Sequence, residues 1–383
     1  MDAAQRAGAS PPSPFLGTAS VRTRTARCRL LDMTVKSSWY ASELRRELGV
    51  RNRRWARGRA HVESYGNPPV IVYLLENGRH GNFFDPAYAA IAARPEWMRR
   101  FDKIHAQGWA LPKPEPESGP ARKWRELDSS MSSDALLMNV FCTPGVTESP
   151  AVRRALGVEG AEPPVFGWKA RVPLKGGHFD RTEIDMRWGD LLVEAKLTES
   201  DFQIRAAAVV EAYRDFDAVF DRELLPRVEL PTTRQREATE FPEDYSQELE
   251  EVGPDAGESA RAERFVVPVS ARTSANAGIA SSAADGESAY VGYQLIRNVL
   301  AAHAHEYSFC VIHDERRPDL REAWFDVMAA VKSAEMRVRL KVLTWQELAA
   351  LLPEELQEFL DRKYGIVASG RVASPAGDAV EFD

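Results

Sequence analysis

An α/β (α+β) fold is predicted by three features of this 383-residue chain. The run 182–188 alternates polar and apolar residues, breaks at Gly189-Asp190 and restarts as the apolar Leu191-Leu192-Val193, which is the signature of a hairpin with a tight turn. A polar-capped apolar segment from Ser132 or Ser133 to Phe141 reads as a helix that precedes it. A helical pattern at 293–300 leads into the apolar run 307–313, which reads as a later strand.

Taken in order, the elements form a helix, three strands, a helix and a strand. The first strand is expected at about 164–174, followed by the two strands of the hairpin. Thr198-Glu199-Ser200-Asp201 has a capping-box pattern and is expected to open a helix with Phe202, Ala206, Val209, Val210, Tyr213 and Phe216 on one face. Residues 318–332 read as a helix and 339–343 as the last strand. Thr344-Trp345-Gln346-Glu347 caps a final helical pair ending near Tyr364. Upstream, 69–75 reads as a strand, among apolar segments around Trp97 and Trp109.

The chemistry concentrates in the hairpin. In Glu194-Ala195-Lys196 the strand period sends both charged side chains to one face and Ala195 to the other. The hairpin brings Asp185 beside them, so two carboxylates and an ammonium converge. Hydrolysis of a phosphodiester needs a cation at the phosphoryl oxygens, an activated water and help for the leaving oxygen. Mg²⁺ (or Mn²⁺) suits the first role, because it takes a few carboxylates and keeps the remaining positions for water and phosphate. Asp185 and Glu194 would supply carboxylates and the Ala195 carbonyl a third ligand. Lys196 would have a lowered pKa and orient or deprotonate the attacking water, or would stabilise the developing charge. Glu183 shares the strand face and is a further candidate acid, against the plainer reading of an exposed strand-edge charge.

The bland account of the trio is a cross-strand ion pair on a solvated face. Three details weigh against it. The chain has ten lysines against forty arginines, so an interchangeable surface cation would be Arg. Of the ten, only Lys196 has a Glu two positions earlier. The apolar 191–193 run buries both faces of the strand that carries Glu194, where charges are seldom kept for solubility.

The strings SSDALLMNVF, TEIDMRWGDLLVEAKLTESDF and YQLIRNVLAA, within roughly 38–350, resemble a bacterial group of uncharacterised predicted nucleases in the PD-(D/E)XK, or restriction-endonuclease-like, superfamily. The resemblance implies an αβββαβ core with a mixed sheet flanked by helices, here with an N-terminal extension. It also implies that Asp185, Glu194 and Lys196 are the catalytic acid, second acid and lysine of a metal-dependent nuclease acting on nucleic acid, foremost DNA. Many members carry a Glu on the first core helix as a further metal ligand, where this chain offers only Asp134. Gln294 is similar to a helix glutamine that some members place near the scissile phosphate; a helix-surface amide is the other reading.

A net charge of −7 sits oddly with a polyanionic substrate until its distribution is read. Residues 231–263 hold ten acids against three arginines, which accounts for all of it. With the Ser, Ala and Gly-rich stretch that follows, 231–288 reads as a flexible insertion, solubilising or, in a sharper alternative, mimicking DNA to compete for the cleft. From Arg45 to Arg59 there are seven arginines against one acid, and Arg53, Arg54, Trp55 and Arg57 form a candidate nucleic-acid patch that pairs phosphate contacts with base stacking. Three scattered cysteines suggest neither a disulfide framework nor a zinc site, and His303, His305 and His313 show no ligand spacing. No run approaches a membrane span and no signal peptide is visible, so the expectation is cytoplasmic.

The expected organisation is a disordered 1–30, with an overcalled start codon as its explanation, and a family-specific region at 31–125. A nuclease core follows at 126–350 with the acidic insertion, then a C-terminal helix and tail at 351–383. The competing functional class is a catalytically inactive protein of the same fold that binds nucleic acid or a protein partner. Loss of one motif residue would have favoured it, and all three are present.

Overall fold

The computed structural model describes residues 39–64, 69–105, 124–160, 162–230 and 287–370. Most of the acidic insertion, the first 38 residues, the segment around Trp109 and the end of the tail lie outside the described residues. The chain divides into one compact unit made of 1–228 and 289–383 and a second at 229–288.

The first unit is organised by a five-stranded mixed sheet. Its strands are β1 (Val165–Lys169), β2 (Glu183–Trp188), β3 (Leu191–Ala195), β4 (Ser308–His313) and β5 (Leu340–Thr344), in the spatial order β5-β4-β3-β2-β1. The β1–β2 and β2–β3 pairs are antiparallel, whereas β3–β4 and β4–β5 are parallel. β2 and β3 form the hairpin expected from the alternation, and Gly189 takes the positive φ (59°) that its tight turn requires. β3, flanked on both sides, is buried at all five positions, as the unbroken apolar run demands.

Helices cover both faces. On one side lie α1 (residues 39–55), α2 (Ser133–Phe141), and the C-terminal pair of Trp345–Ala349 and Glu354–Tyr364. These share a core with Val193, Ala195 and Leu197. On the other lie α3 (Tyr293–His305) and α4 (Pro318–Ala329), packed with Leu192, Phe309 and Val311. Each large side chain fully withdrawn from water contributes about 1.5–3 kcal/mol. Local signals set the helix ends: the Ser132 hydroxyl accepts from the Ala135 N–H, Thr344 and Glu347 form a capping box, and Gly365 stops the last helix in the left-handed region. Among the described residues no helix is long and apolar enough to cross a membrane.

One expected element is absent. Residues 198–216 do not form a helix: Ile204–Ala206 is a short strand paired with residues 289–291, and only four-residue helices follow at Ala207–Val210 and Phe216–Val219. The capping residues are spent elsewhere. The Glu199 carboxylate accepts from the Leu197 N–H and the Ser133 hydroxyl, Asp201 accepts from the Gln203 N–H, and Gln203 turns to positive φ (64°), which ends any helical path. The helix beside the hairpin is instead α3, which reaches it from across the insertion.

Candidate active site

The β2–β3 ladder ends at Met186 opposite Val193, so Asp185 and Glu194 are the next residues of the two strands. Glu194 faces the α3 side of the sheet, where Asn298 meets it, and the Asp185 carboxylate lies against the backbone of the next residue, Ala195, where the hairpin strands part. Asp185 Oδ2 accepts a hydrogen bond from the Ala195 N–H (2.8 Å), and its Oδ1 accepts none among the described residues. Glu194 is 2 % exposed and Lys196 5 %. Lys196 Nζ lies 3.1 Å from Glu194 Oε1 and donates to Gln294 Oε1 (2.8 Å). Asn298 Nδ2 donates to the other Glu194 oxygen at 2.8 Å. The Lys196 backbone is fixed as well: its N–H donates to the Ile312 carbonyl and its carbonyl accepts from the Trp345 indole.

The charges are set against one another. Burial, then the charge of Glu194 and then that of Asp134, push the Asp185 carboxyl well above the ordinary carboxylate range; Lys196 and the Ala195 N–H pull it down without prevailing. Two acids so placed form a poor environment for each other and a good one for a cation. Lys196 departs from expectation. Burial would lower its pKa, but the carboxylates of Glu194, Glu199 and Asp185 outweigh burial, and the amine is held above its ordinary value. It is an ammonium here, suited to stabilising charge and orienting a water rather than to removing a proton.

A second group of charges borders the first. Arg100 (6 % exposed at its side chain) donates from Nη2 to Asp134 Oδ2 at 2.7 Å and from Nη1 to Glu183 Oε2 at 2.6 Å. Lys103 Nζ also reaches Asp134 Oδ2, at 3.1 Å. Burial would raise the Asp134 carboxyl, but Arg100 and Lys103 override it and hold the group below its usual range. Glu183 is therefore ion-paired rather than standing free beside Asp185, and Asp134 is claimed by two cations. Among the described residues no group of three or more His, Cys, Asp or Glu is disposed to hold a metal ion. A divalent ion would be held here by Asp185 and Glu194 with the adjoining Ala195 carbonyl.

Gln294 lies at the site, bonded to Lys196, in place of a surface role. Asn298 was a missed participant, although its spacing of four from Gln294 on an otherwise apolar helix face would have marked it. Arg100 and Lys103 had no such signal: they come from a segment without periodicity, 83 residues before Glu183 in the case of Arg100. The arginine patch does not assemble as expected. Trp55 is engaged in packing, its indole N–H donating to the Gly81 carbonyl (2.8 Å) and its ring meeting Phe359 edge-on at 5.4 Å, with Arg59 stacked over it. Arg53, Arg54 and Arg57 are exposed, with Arg53 3.9 Å from Glu63. His313 bonds the Asp314 carbonyl and His305 the Ala170 carbonyl, as structural histidines do.

Residues 51–365 match the family model described as restriction endonuclease associating with ARP. Comparison with curated proteins and with solved structures gives no match.

Proposed function

From the premise that the chain belongs to this family of restriction endonucleases associating with ARP, whose description carries a nuclease-like function, we propose that it is a divalent-metal-dependent endonuclease that hydrolyses DNA phosphodiester bonds at Asp185, Glu194 and Lys196. The observation that supports the proposal is the Asp185 carboxylate on the Ala195 N–H (2.8 Å), next in the chain to Glu194, with the Lys196 ammonium 3.1 Å from that second acid. DNA is favoured over RNA by the family's description alone.

Asp185 and Glu194, with the Ala195 carbonyl, would hold Mg²⁺ or Mn²⁺. Such an ion, when bound, neutralises phosphoryl oxygens and acidifies water. Asp185 Oδ1 is open to this role. Glu194 is aimed by Asn298, whose amide holds Oε2 in place, and aiming of this kind typically governs metal affinity. Lys196, held between Glu194 and Gln294, presents its positive charge to the phosphoryl group and keeps the attacking water in line. Gln294 accepts from Lys196 through Oε1, which leaves its amide N–H groups to donate to a phosphate oxygen.

The competing reading, a non-catalytic protein of this fold, draws on one observation: both Glu194 oxygens already have partners within the protein. A cleavage assay separates the two. Supercoiled plasmid incubated with the full chain and Mg²⁺ or Mn²⁺ should be nicked or linearised, and EDTA or Asp185→Asn should stop it. No conversion of any DNA or RNA form, together with no metal-induced shift in Tm, would establish the non-catalytic reading.

A further inference from the structure

Two acids near the candidate metal site are withheld from it, and the same residue withholds both. The Arg100 guanidinium forks between Asp134 on α2 and Glu183 on β2, one nitrogen to each. The bridge borders Asp185: Glu183 lies two residues before it on β2, and Gly167, which the pairs Phe166–Met186 and Trp168–Ile184 set opposite Asp185, lies directly against Arg100 Nη1 and Glu183 Oε2. In a nuclease that uses two metal ions, the ions sit about 3.5–4 Å apart and are bridged by such carboxylates. Here a cation of the protein's own bridges the neighbouring pair of acids.

The arrangement is built to hold. The side chain of Arg100 is buried and its Nε has no hydrogen-bond partner among the described residues, so its two outer nitrogens carry the whole attachment. Gly167, with φ +65°, lies against the pair; a Cβ there would collide with Arg100 Nη1 and Glu183 Oε2. The Glu183 backbone is tied down by Arg297, which donates to its carbonyl at 2.9 Å. Lys103 adds a second cation on Asp134. A metal ion reaching for Asp134 or Glu183 would meet a buried guanidinium that keeps its charge.

We propose that Arg100 stands where a second divalent ion would sit, so that the site takes one metal ion per chain, at Asp185 and Glu194. This rests on the metal-dependent reading above and deepens it. Mn²⁺ binding to the full chain, without nucleic acid, tests it by electron paramagnetic resonance. The wild-type protein should bind one ion per chain, with the spectrum of an isolated ion, and Arg100→Gln should bind two, with the signature of a spin-coupled pair. Two ions on the wild type, or one ion on a folded Arg100→Gln, would overturn the inference while leaving the metal-dependent reading in place. No ion on the wild type would overturn both. Should Arg100→Gln lose its circular dichroism, Asp134→Asn decides: it is expected to keep its single ion, because Asp134 is not a ligand, and loss of that ion would refute the proposal.

Discussion

Replacing Lys196 by alanine removes more than a candidate catalytic group. Its ammonium is the cation on Glu194 Oε1 at 3.1 Å, and both side chains are 6 % exposed or less. Deleting one member of such a pair leaves the other charge buried without compensation, at about 3–5 kcal/mol. For a body of this size each kcal/mol lowers Tm by about 1.5–2 °C, so Lys196→Ala should melt roughly 5–10 °C lower in EDTA. Cleavage should be lost as well, but that loss is interpretable only if the variant is still folded at the assay temperature. The remedy is to neutralise the partner. In Lys196→Ala with Glu194→Gln the unpaired charge is gone, and the double variant should recover, giving a coupling of about 1–3 kcal/mol between the two positions by differential scanning fluorimetry. A fall of under about 2 °C for Lys196→Ala, or strict additivity of the two changes, would refute the reasoning that this pair holds Glu194 in place.

Burial is the main force raising the Glu126 carboxyl to about 7, so the native state is penalised as pH climbs from the unfolded value near 4.3 through about 7. Glu126→Gln should therefore raise Tm at pH 8 and leave it unchanged at pH 4; equal effects at both would contradict this. Lys363 is fully buried with no hydrogen-bond partner for Nζ among the described residues, and burial lowers its pKa far below the ordinary value. An unfolded chain takes up that proton, so native stability rises with pH up to about 10.4, and Lys363→Met should gain about 1–3 kcal/mol near pH 7 and flatten the rise. A loss of stability in urea titrations would count against it. Gly167→Ala forces a side chain into a left-handed position and into the Arg100–Glu183 pair, and should cost about 1–3 kcal/mol. A neutral outcome would show that the pair yields easily.

Much of the core was legible because its signals are local. The alternation in 182–188, the Gly189-Asp190 turn and the apolar 191–193 run were enough to place the hairpin and its register, since strand period and a tight turn fix register within a few residues. The same kind of reasoning failed at 198–216, where a capping pattern and an apolar periodicity were both present. Glu199 and Asp201 found closer backbone partners, and Phe202, Val210, Tyr213 and Phe216 were buried in a core shared with α3, from beyond the insertion, while Val209 stayed exposed. Trp55 was misread for a related reason. An aromatic among arginines looks like a stacking surface, but Phe359, some three hundred residues later, covers it. The Arg100 bridge is wholly tertiary: its partners Asp134 and Glu183 lie on separate elements, and nothing near Arg100 in the chain marks it.

The account stands on one cation shared by Asp185 and Glu194, and a crystal structure of the full chain grown with Ca²⁺, which occupies such sites without supporting fast turnover, tests that most directly. The predicted result is a single ion coordinated by carboxylate oxygens of Asp185 and Glu194 at about 2.3–2.6 Å. An ion bound elsewhere, or these two carboxylates left without one at saturating Ca²⁺, would contradict it.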